Sequence, residues 1–349
     1  MEKIITLLKD LVRLPGIPGR EEAVANYLLR YPLDAAKREI DHSGNVYLEM
    51  KGPAKPPLVL SAHMDEIGCR VKRIEDDGQL SVIGFEGIDV RTLAGQVVQV
   101  WTETEVFDAF VYLRQRTGPS RDYMDLMAEN VRLDLGLTNR DDVMALAIKP
   151  NDPVTFNQEF YSLQNNMVCA KAFDNRCSLA VILRALEKTS AKRAQRPVVL
   201  GTVQEEIGGF GARAFSFPEK PGAVLVLDIC GAEVFRLSEA ERRTIMGKGP
   251  ILLNNPGTSR GLYKRLKELA LERGIPYQDV GYYDRGADPA ILQTKSGGNA
   301  MMTIVIPMAY YHAPKGLLNI DDLMHTTDLL VAVLTDEYFL EAGTVPQCV

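Results

Sequence analysis

Two adjacent acids, Glu205 and Glu206, follow the apolar run Val198-Val199-Leu200-Gly201-Thr202-Val203 and precede the glycine cluster Gly208-Gly209-Phe210-Gly211. Carboxylates at the end of a buried strand must be solvated, paired or bound to metal, because a lone buried carboxylate is costly or takes up a proton. Other residues able to do chemistry fall at similar places. His63 and Asp65 follow the apolar run 57–62, and Asp228 follows the run 223–227. His312 comes five residues after Pro307, which closes the run 301–306, and Asp174 sits in Lys171-Ala172-Phe173-Asp174-Asn175-Arg176. Imidazole and carboxylate without thiolate is the ligand chemistry of zinc, cobalt or manganese, and not of a structural cysteine-zinc site. Each residue also has a plainer reading. A single histidine near a strand is most often an ordinary satisfied side chain. Glu205-Glu206 could be a solvated loop pair, and Asp174 or Asp228 could cap a helix or turn. His42, in a hairpin turn, and His325, on a helix, read as surface or packing residues.

The elements that would position these residues follow from periodicity and breakers. Helices are expected over 3–14 and 20–30, separated by Pro15-Gly16-Ile17-Pro18-Gly19. A hairpin spans 36–40 and 46–50, and a short buried strand over 57–62 ends at His63. From about Cys69 to Asn165 short alternating segments at 70–74, 80–83, 97–101 and 106–113 predict a small β-barrel or sandwich. Beyond it the pattern alternates: helix 178–190, strand 198–204, strand 223–229, helix 259–274, strand 301–306 and helix 321–339. That is a doubly wound α/β fold with a mixed sheet and helices on both faces, and a small all-β domain inserted. The expected division is 1–68 with 166–349 for the α/β domain and 69–165 for the insert. In such sheets ligands bind beyond the carboxyl ends of the strands, where the chemistry-bearing residues fall.

Composition narrows the functional class. With 349 residues the chain can bury a large core, and its 46% apolar and 25% charged content is that of an ordinary soluble enzyme. A net charge of −6 with no basic stripe argues against a nucleic-acid partner. No apolar run reaches the roughly 18 residues that would span a bilayer, and no secretory leader is evident, so a cytoplasmic location is expected. The five cysteines, at 69, 169, 177, 230 and 348, have no CxxC spacing and predict no disulfide framework. Cys177 and Cys230, close to Asp174 and Asp228, read as small buried fillers, with a redox or metal-modulating role as the alternative.

Four motifs in order resemble one known family. Ser61-Ala62-His63-Met64-Asp65-Glu66-Ile67-Gly68, Lys171-Ala172-Phe173-Asp174-Asn175-Arg176, Glu205-Glu206-Ile207-Gly208 and Tyr311-His312-Ala313-Pro314 are similar to the signature of the M42 metallo-aminopeptidases, the glutamyl and tetrahedral aminopeptidases. Weaker echoes at Asp41-His42-Ser43-Gly44-Asn45, Asp134-Leu135-Gly136, Gly247-Lys248-Gly249-Pro250 and Ile275-Pro276-Tyr277-Gln278 extend it over nearly the whole chain. The resemblance implies two divalent metal ions per subunit, zinc or cobalt first and manganese as well. It places His63 and Asp228 on one ion, Glu206 and His312 on the other, and Asp174 as the bridge. It also implies that Asp65 supports His63, that Glu205 is the general base toward a metal-bound water, and that the Asp174–Asn175 peptide is cis. Peptide substrates and a homo-oligomer, often a dodecamer, come with the family.

A water whose pKa is lowered by a metal ion and a neighbouring carboxylate make a coherent hydrolytic pair. The expected activity is therefore removal of N-terminal residues from peptides. A deacylase or dipeptidase using the same metals is the nearer alternative. Glycoside hydrolysis, with two acids about 5–9 Å apart around a sugar, would leave the histidines idle, and the chain has a single tryptophan for stacking. A non-catalytic scaffold of the same fold would be expected to lack a ligand or the base. Two segments depart from the family: Gly286-Ala287-Asp288-Pro289 stands where Gly-Thr-Asp-Ala is common, and Ala309 stands where an arginine often precedes the tyrosine by two. These departures bear on substrate preference more than on catalysis.

Overall fold

The computed structural model describes residues 1–84, 87–88, 90–113, 130–232, 244–281 and 287–343; Gly286 and Cys348 lie outside them. Helices α1 (Glu2–Arg13) and α2 (Glu22–Arg30) open the chain, followed by strands β1 (Ala35–Ile40), β2 (Val46–Met50) and β3 (Leu58–His63). Then come β4 (Cys69–Ile74), β5 (Leu80–Gly84), β6 (Val97–Trp101), β7 (Val106–Leu113), β8 (Val131–Asp134), helix α3 (Arg140–Ala145) and β9 (Pro153–Phe156). The chain continues through β10 (Tyr161–Ser162), β11 (Met167–Ala170), α4 (Phe173–Thr189), β12 (Pro197–Thr202), α5 (Phe210–Ala214) and β13 (Ala223–Gly231). It ends with β14 (Ile251–Leu253), α6 (Arg260–Glu272), β15 (Gln278–Val280), α7 (Ala287–Thr294), β16 (Met301–Ala309), β17 (Gly316–Asn319), α8 (Ile320–Thr335) and α9 (Phe339–Gly343).

Eleven strands form one mixed sheet in the order β1-β2-β12-β3-β13-β16-β17-β11-β10, with β14 paired to β16 and β15 to β14. The central strands β12, β3, β13 and β16 run parallel, and both flanks are antiparallel. Successive side chains of a strand point to opposite faces, so a strand covered on both sides is apolar throughout. Leu58, Leu60 and Ala62 enter a core shared with Leu8 of α1, Leu179 of α4 and Leu330 of α8. Val59, Val224 and Val226 face the other way, onto Ala212 of α5 and Leu292 of α7. The strands β4 to β9 close a separate antiparallel barrel in the order β4-β5-β8-β7-β6-β9, filled by Val71, Leu80, Val100, Val111, Leu133 and Val154. The mixed α/β sheet with an inserted barrel is thus the architecture, and closure decides barrel over sandwich.

Several elements differ from expectation for physical reasons. The final helix is two: Asp336 is extended (φ −88°, ψ 121°), and its carboxylate is held by Arg265 at 2.9 Å, so α8 stops and α9 restarts. Helix α4 begins at Phe173, ahead of 178, but its first turn is irregular at Asp174 and Asn175, whose shared peptide is cis. Helix α7, absent from the expected elements, carries Pro289 in its first turn, where no intrahelical N–H bond is lost. Among the described residues no helix is long and apolar enough to cross a membrane. Cys69, Cys169, Cys177 and Cys230 are free thiols, and burial pushes Cys230 up to about 12 and Cys177 further, so neither is a thiolate at neutral pH.

Candidate metal centre

The register of the central strands brings the distant residues together. Strand β13 pairs with β3 as far as Val226 beside Ser61, so Asp228, two residues on, stands level with His63. Strand β12 ends at Thr202 beside His63, and two residues, Val203 and Gln204, lead to Glu205-Glu206. Asp228 does not terminate its strand. Pairing with β16 continues to Gly231, and only the β3 side stops, which leaves Asp228 facing the gap that opens beside the sheet. His312 lies three residues beyond β16, which runs through Pro307 to Ala309.

Two triads of ligand atoms result: His63, Asp174 and Asp228, and Asp174, Glu206 and His312, the atoms of each lying within 4.8 Å of one another. His63 Nε2 is 3.0 Å from Asp174 Oδ1 and 3.9 Å from Asp228 Oδ1. His312 Nε2 is 3.2 Å from Glu206 Oε2 and 3.8 Å from Asp174 Oδ2. Asp174 turns one oxygen to each imidazole, and α4 has no side-chain cap, so the helix-cap reading of Asp174 gives way. His42 is exposed in the β1–β2 turn and His325 is half-buried on α8.

Asp65 is the hub of the arrangement. Its Oδ1 is 3.3 Å from His63 Nδ1, and its two oxygens accept the backbone N–H of Glu205 and of Glu206, each at 3.0 Å. The turn is held from outside as well. Glu21 on the approach to α2 accepts from the N–H of Gln204 at 3.1 Å and of Gly19 at 2.8 Å, and burial pushes its carboxyl up to about 7. Glu205 Oε1 accepts the Ala287 amide at 2.6 Å at the start of α7. That contact is made by main chain, so alanine at 287 in place of threonine does not lose it. Behind Asp174, buried Lys171 Nζ meets both oxygens of buried Glu66 at 2.7 Å, and buried Arg176 donates to the carbonyls of Leu11 and Leu14 and lies 3.8 Å from Glu66. Buried charges persist only when paired in this way. Ala172, Gln204, Tyr310 and His312 all have positive φ. Such left-handed non-glycine residues, about 1–3 kcal/mol of strain each, gather where surrounding contacts enforce them.

Asn45 braces the far side of the same turn. Its Nδ2 donates to Gly211 O at 3.0 Å and to Asp41 at 2.7 Å, while its Oδ1 accepts the Val203 N–H at 3.1 Å. Gly208 and Gly209 provide positive φ, whereas Gly211 is needed for closeness: a Cβ there would sit 2.4 Å from Asn45 Oδ1. Asn45→Ala leaves the buried Val203 N–H unmet, at about 1–3 kcal/mol, while Gly211 O keeps the Phe215 N–H at 2.9 Å. The expected result is an unfolding free energy lower by about 1–3 kcal/mol in urea titration; a change within experimental error would remove the bracing role.

The electrostatics describe a site short of positive charge. Burial, reinforced by Asp174, raises Glu206 to about 7 against the opposing hydrogen bond from His312. Burial also holds Asp228 well above the usual carboxylate range. His63 is raised well above its ordinary value: burial works against its charge, but hydrogen bonds with Asp174 and Asp65 prevail. His312 is raised mainly by Glu206. Asp288, buried and hydrogen-bonded by Thr202, reaches about 7 through burial and then the nearby Glu205. Glu206 Oε1 is buried without a hydrogen-bond partner. Three clustered carboxylates, two imidazoles and an orphaned carboxylate oxygen fit divalent cations, whose charge would relieve each of these perturbations. Glu21, Asn45 and the Ala287 amide went unforeseen as site residues. Asn45 had a signal in its Asp-x-x-Gly-Asn turn and Ala287 in the Gly286-Ala287-Asp288-Pro289 departure, whereas Glu21 had none.

Comparison with known proteins gives the family and the fold. Residues 44–329 match the family described as M42 glutamyl aminopeptidase. The chain is 27% identical over 341 residues to the lysyl aminopeptidase of Pyrococcus furiosus, covering 95% of this chain and 96% of that one. Among solved structures it is similar to aminopeptidase APDkam598 from the archaeon Desulfurococcus kamchatkensis, with a TM-score of 0.91 and 28% identity over 100% of this chain and 99% of that one. It is also similar to the Pyrococcus horikoshii TET1 peptidase, described as assembling into a tetrahedron or a large octahedral shell, with a TM-score of 0.82 and 25% identity over 95% and 99% of the two chains.

Proposed function

Because the chain belongs to the M42 glutamyl aminopeptidase family, and is thereby a metallo-aminopeptidase, we propose that it removes N-terminal residues from peptides at a two-ion centre with Glu205 as general base. The observation that carries this reading is the pair of triads sharing Asp174, with Glu205 beside them and not among them. His63 and Asp228 would hold one divalent ion, Glu206 and His312 the other, and Asp174 both. Zinc and cobalt suit these donors, and manganese is compatible. When bound, such ions acidify the attacking water and polarise the scissile carbonyl.

The remaining work falls to the chain. The Ala287 amide holds Glu205 Oε1, which leaves Oε2 to take the proton from the attacking water. As the C–N bond breaks, Glu205 returns that proton to the leaving amine. Asp65 fixes the orientation of His63 and the backbone of both glutamates, so base and ligand keep their separation. The division 1–68 with 166–349 against 69–165 separates this machinery from the barrel in sequence, although one barrel residue reaches it, as argued below. A shell of subunits like that described for the TET1 peptidase, for which a dodecamer is also described, is the assembly we favour, and a cytoplasmic location accords with it. The test of reaction class compares an aminoacyl-anilide with its N-acetylated analogue. Turnover of the free-amine substrate alone is expected, and preferential cleavage of the acetylated one would make the protein a deacylase.

Ion uptake should be coupled to protons. Glu206, at about 7 in the metal-free protein, carries a proton below that pH which a metal must displace. Zinc affinity measured by calorimetry is therefore expected to fall as pH drops from 8 to 6, by about tenfold per pH unit for each proton displaced. An affinity flat over that interval would contradict the protonation assigned to Glu206.

A further inference from the structure

The two imidazoles are supported differently. Behind His63, Asp65 stands 3.3 Å from Nδ1, on the side away from Asp174. Behind His312 stands the barrel. His312 turns Nε2 to Glu206 and Asp174, and its opposite nitrogen, Nδ1, faces Gly87, between β5 and β6. A Cβ added at Gly87 would lie 2.4 Å from His312 Nδ1 and 3.0 Å from Cε1, well inside contact distance. The Tyr311 ring meets the imidazole edge-on at 5.2 Å, and His312 itself holds a left-handed backbone, φ +53°. The ring is thus bounded by ligand partners at one nitrogen, an aromatic neighbour, and bare backbone at the other nitrogen.

We propose that Gly87 is a positioning residue of the metal centre: the inserted barrel supplies, through the side-chain-free backbone at Gly87, the seat that orients His312 toward the second ion. This rests on the two-ion reading above. It assigns the barrel a part in the chemistry of the other domain and explains why a glycine stands there beyond its φ of +89°. A methyl group at this place must turn the imidazole or push the barrel segment away, and either moves Nε2 from its partners. His63, held by Asp65, is untouched.

Two other barrel glycines provide the control. Gly95 (φ +81°) and Gly136 (φ +78°) have the same backbone requirement but nothing within 4 Å of an added Cβ. Zinc titrated calorimetrically into the metal-stripped full-length protein is expected to show two bound ions in wild type. In Gly87→Ala the first ion should bind as in wild type and the second about 10–100-fold more weakly, the usual effect of disturbing a ligand's support. Gly95→Ala and Gly136→Ala should bind both ions as wild type does, and Gly87→Ala should add no further loss on a His312→Ala background. Wild-type binding of both ions by Gly87→Ala would overturn the proposal, as would equal weakening by all three glycine variants, which would mark a folding effect. A single ion in wild type would instead overturn the two-ion reading itself, and this proposal with it.

Discussion

Glu205→Gln is expected to lower kcat for aminoacyl-anilide hydrolysis by about 10²–10⁴-fold, the range usual for a general acid–base group, with KM little changed. Glutamine keeps the length of the side chain and an oxygen for the Ala287 amide, so the turn from Gln204 to Glu206 should persist. Its amide cannot take a proton from water. Because Glu205 stands outside both ligand triads, the variant should still bind its metal ions, and that combination separates a base from a ligand. Glu206→Gln, by contrast, should lose affinity for one ion. Wild-type kcat in metal-loaded Glu205→Gln would remove the assignment.

Asp65→Ala is expected to damage both stability and metal binding. The side chain is fully buried, and three groups depend on it: His63 Nδ1 and the amides of Glu205 and Glu206. Alanine takes the carboxylate from His63 Nδ1, which keeps only the residue-65 carbonyl at 3.2 Å, and leaves two backbone donors without acceptors. Loss of a ligand's support typically weakens metal binding about 10–100-fold. The two unmet amides, partly buried, add about 2–4 kcal/mol of lost stability. Thermal melting of the metal-free variant and calorimetric zinc titration should both shift. A variant that melts as wild type does but binds metal poorly would restrict Asp65 to orienting His63.

How far the molecule is legible in its sequence depends on the range of the interaction. The doubly covered sheet is written in apolar runs such as 57–62 and 198–203, because both faces of those strands are buried. His63 and Glu206 follow those runs closely enough to be placed from the runs alone. Asp228 follows the same rule less cleanly, since a strand can end against one neighbour and continue against the other. Short elements were hidden. Gly316-Leu317-Leu318-Asn319 has no β-branched residue, yet it pairs on both sides because Met308–Ala309 and Met167–Ala170 are already in place. The supports of the site were the least visible. Glu21 holds Gln204 and Gly87 faces His312 across long stretches of chain, and neither has a local pattern that marks it.

The resemblance to a family carried what spacing alone left open. Imidazoles and acids at strand ends made a metal site plausible, but the division of Glu205 from Glu206 came from matched motifs. In the structure Glu206 lies 3.2 Å from His312 with an orphaned oxygen, while Glu205 is tied to the α7 amide.

The most direct measurement of the central claim is activity against metal content in one preparation. The protein is stripped with a chelator, zinc or cobalt is returned in increments, and hydrolysis of a free-amine aminoacyl-anilide is followed at each step. The two-triad site predicts no turnover in the stripped protein and activity that rises until two ions per chain are bound. Undiminished turnover by the stripped protein, or full activity with a single bound ion, would contradict it.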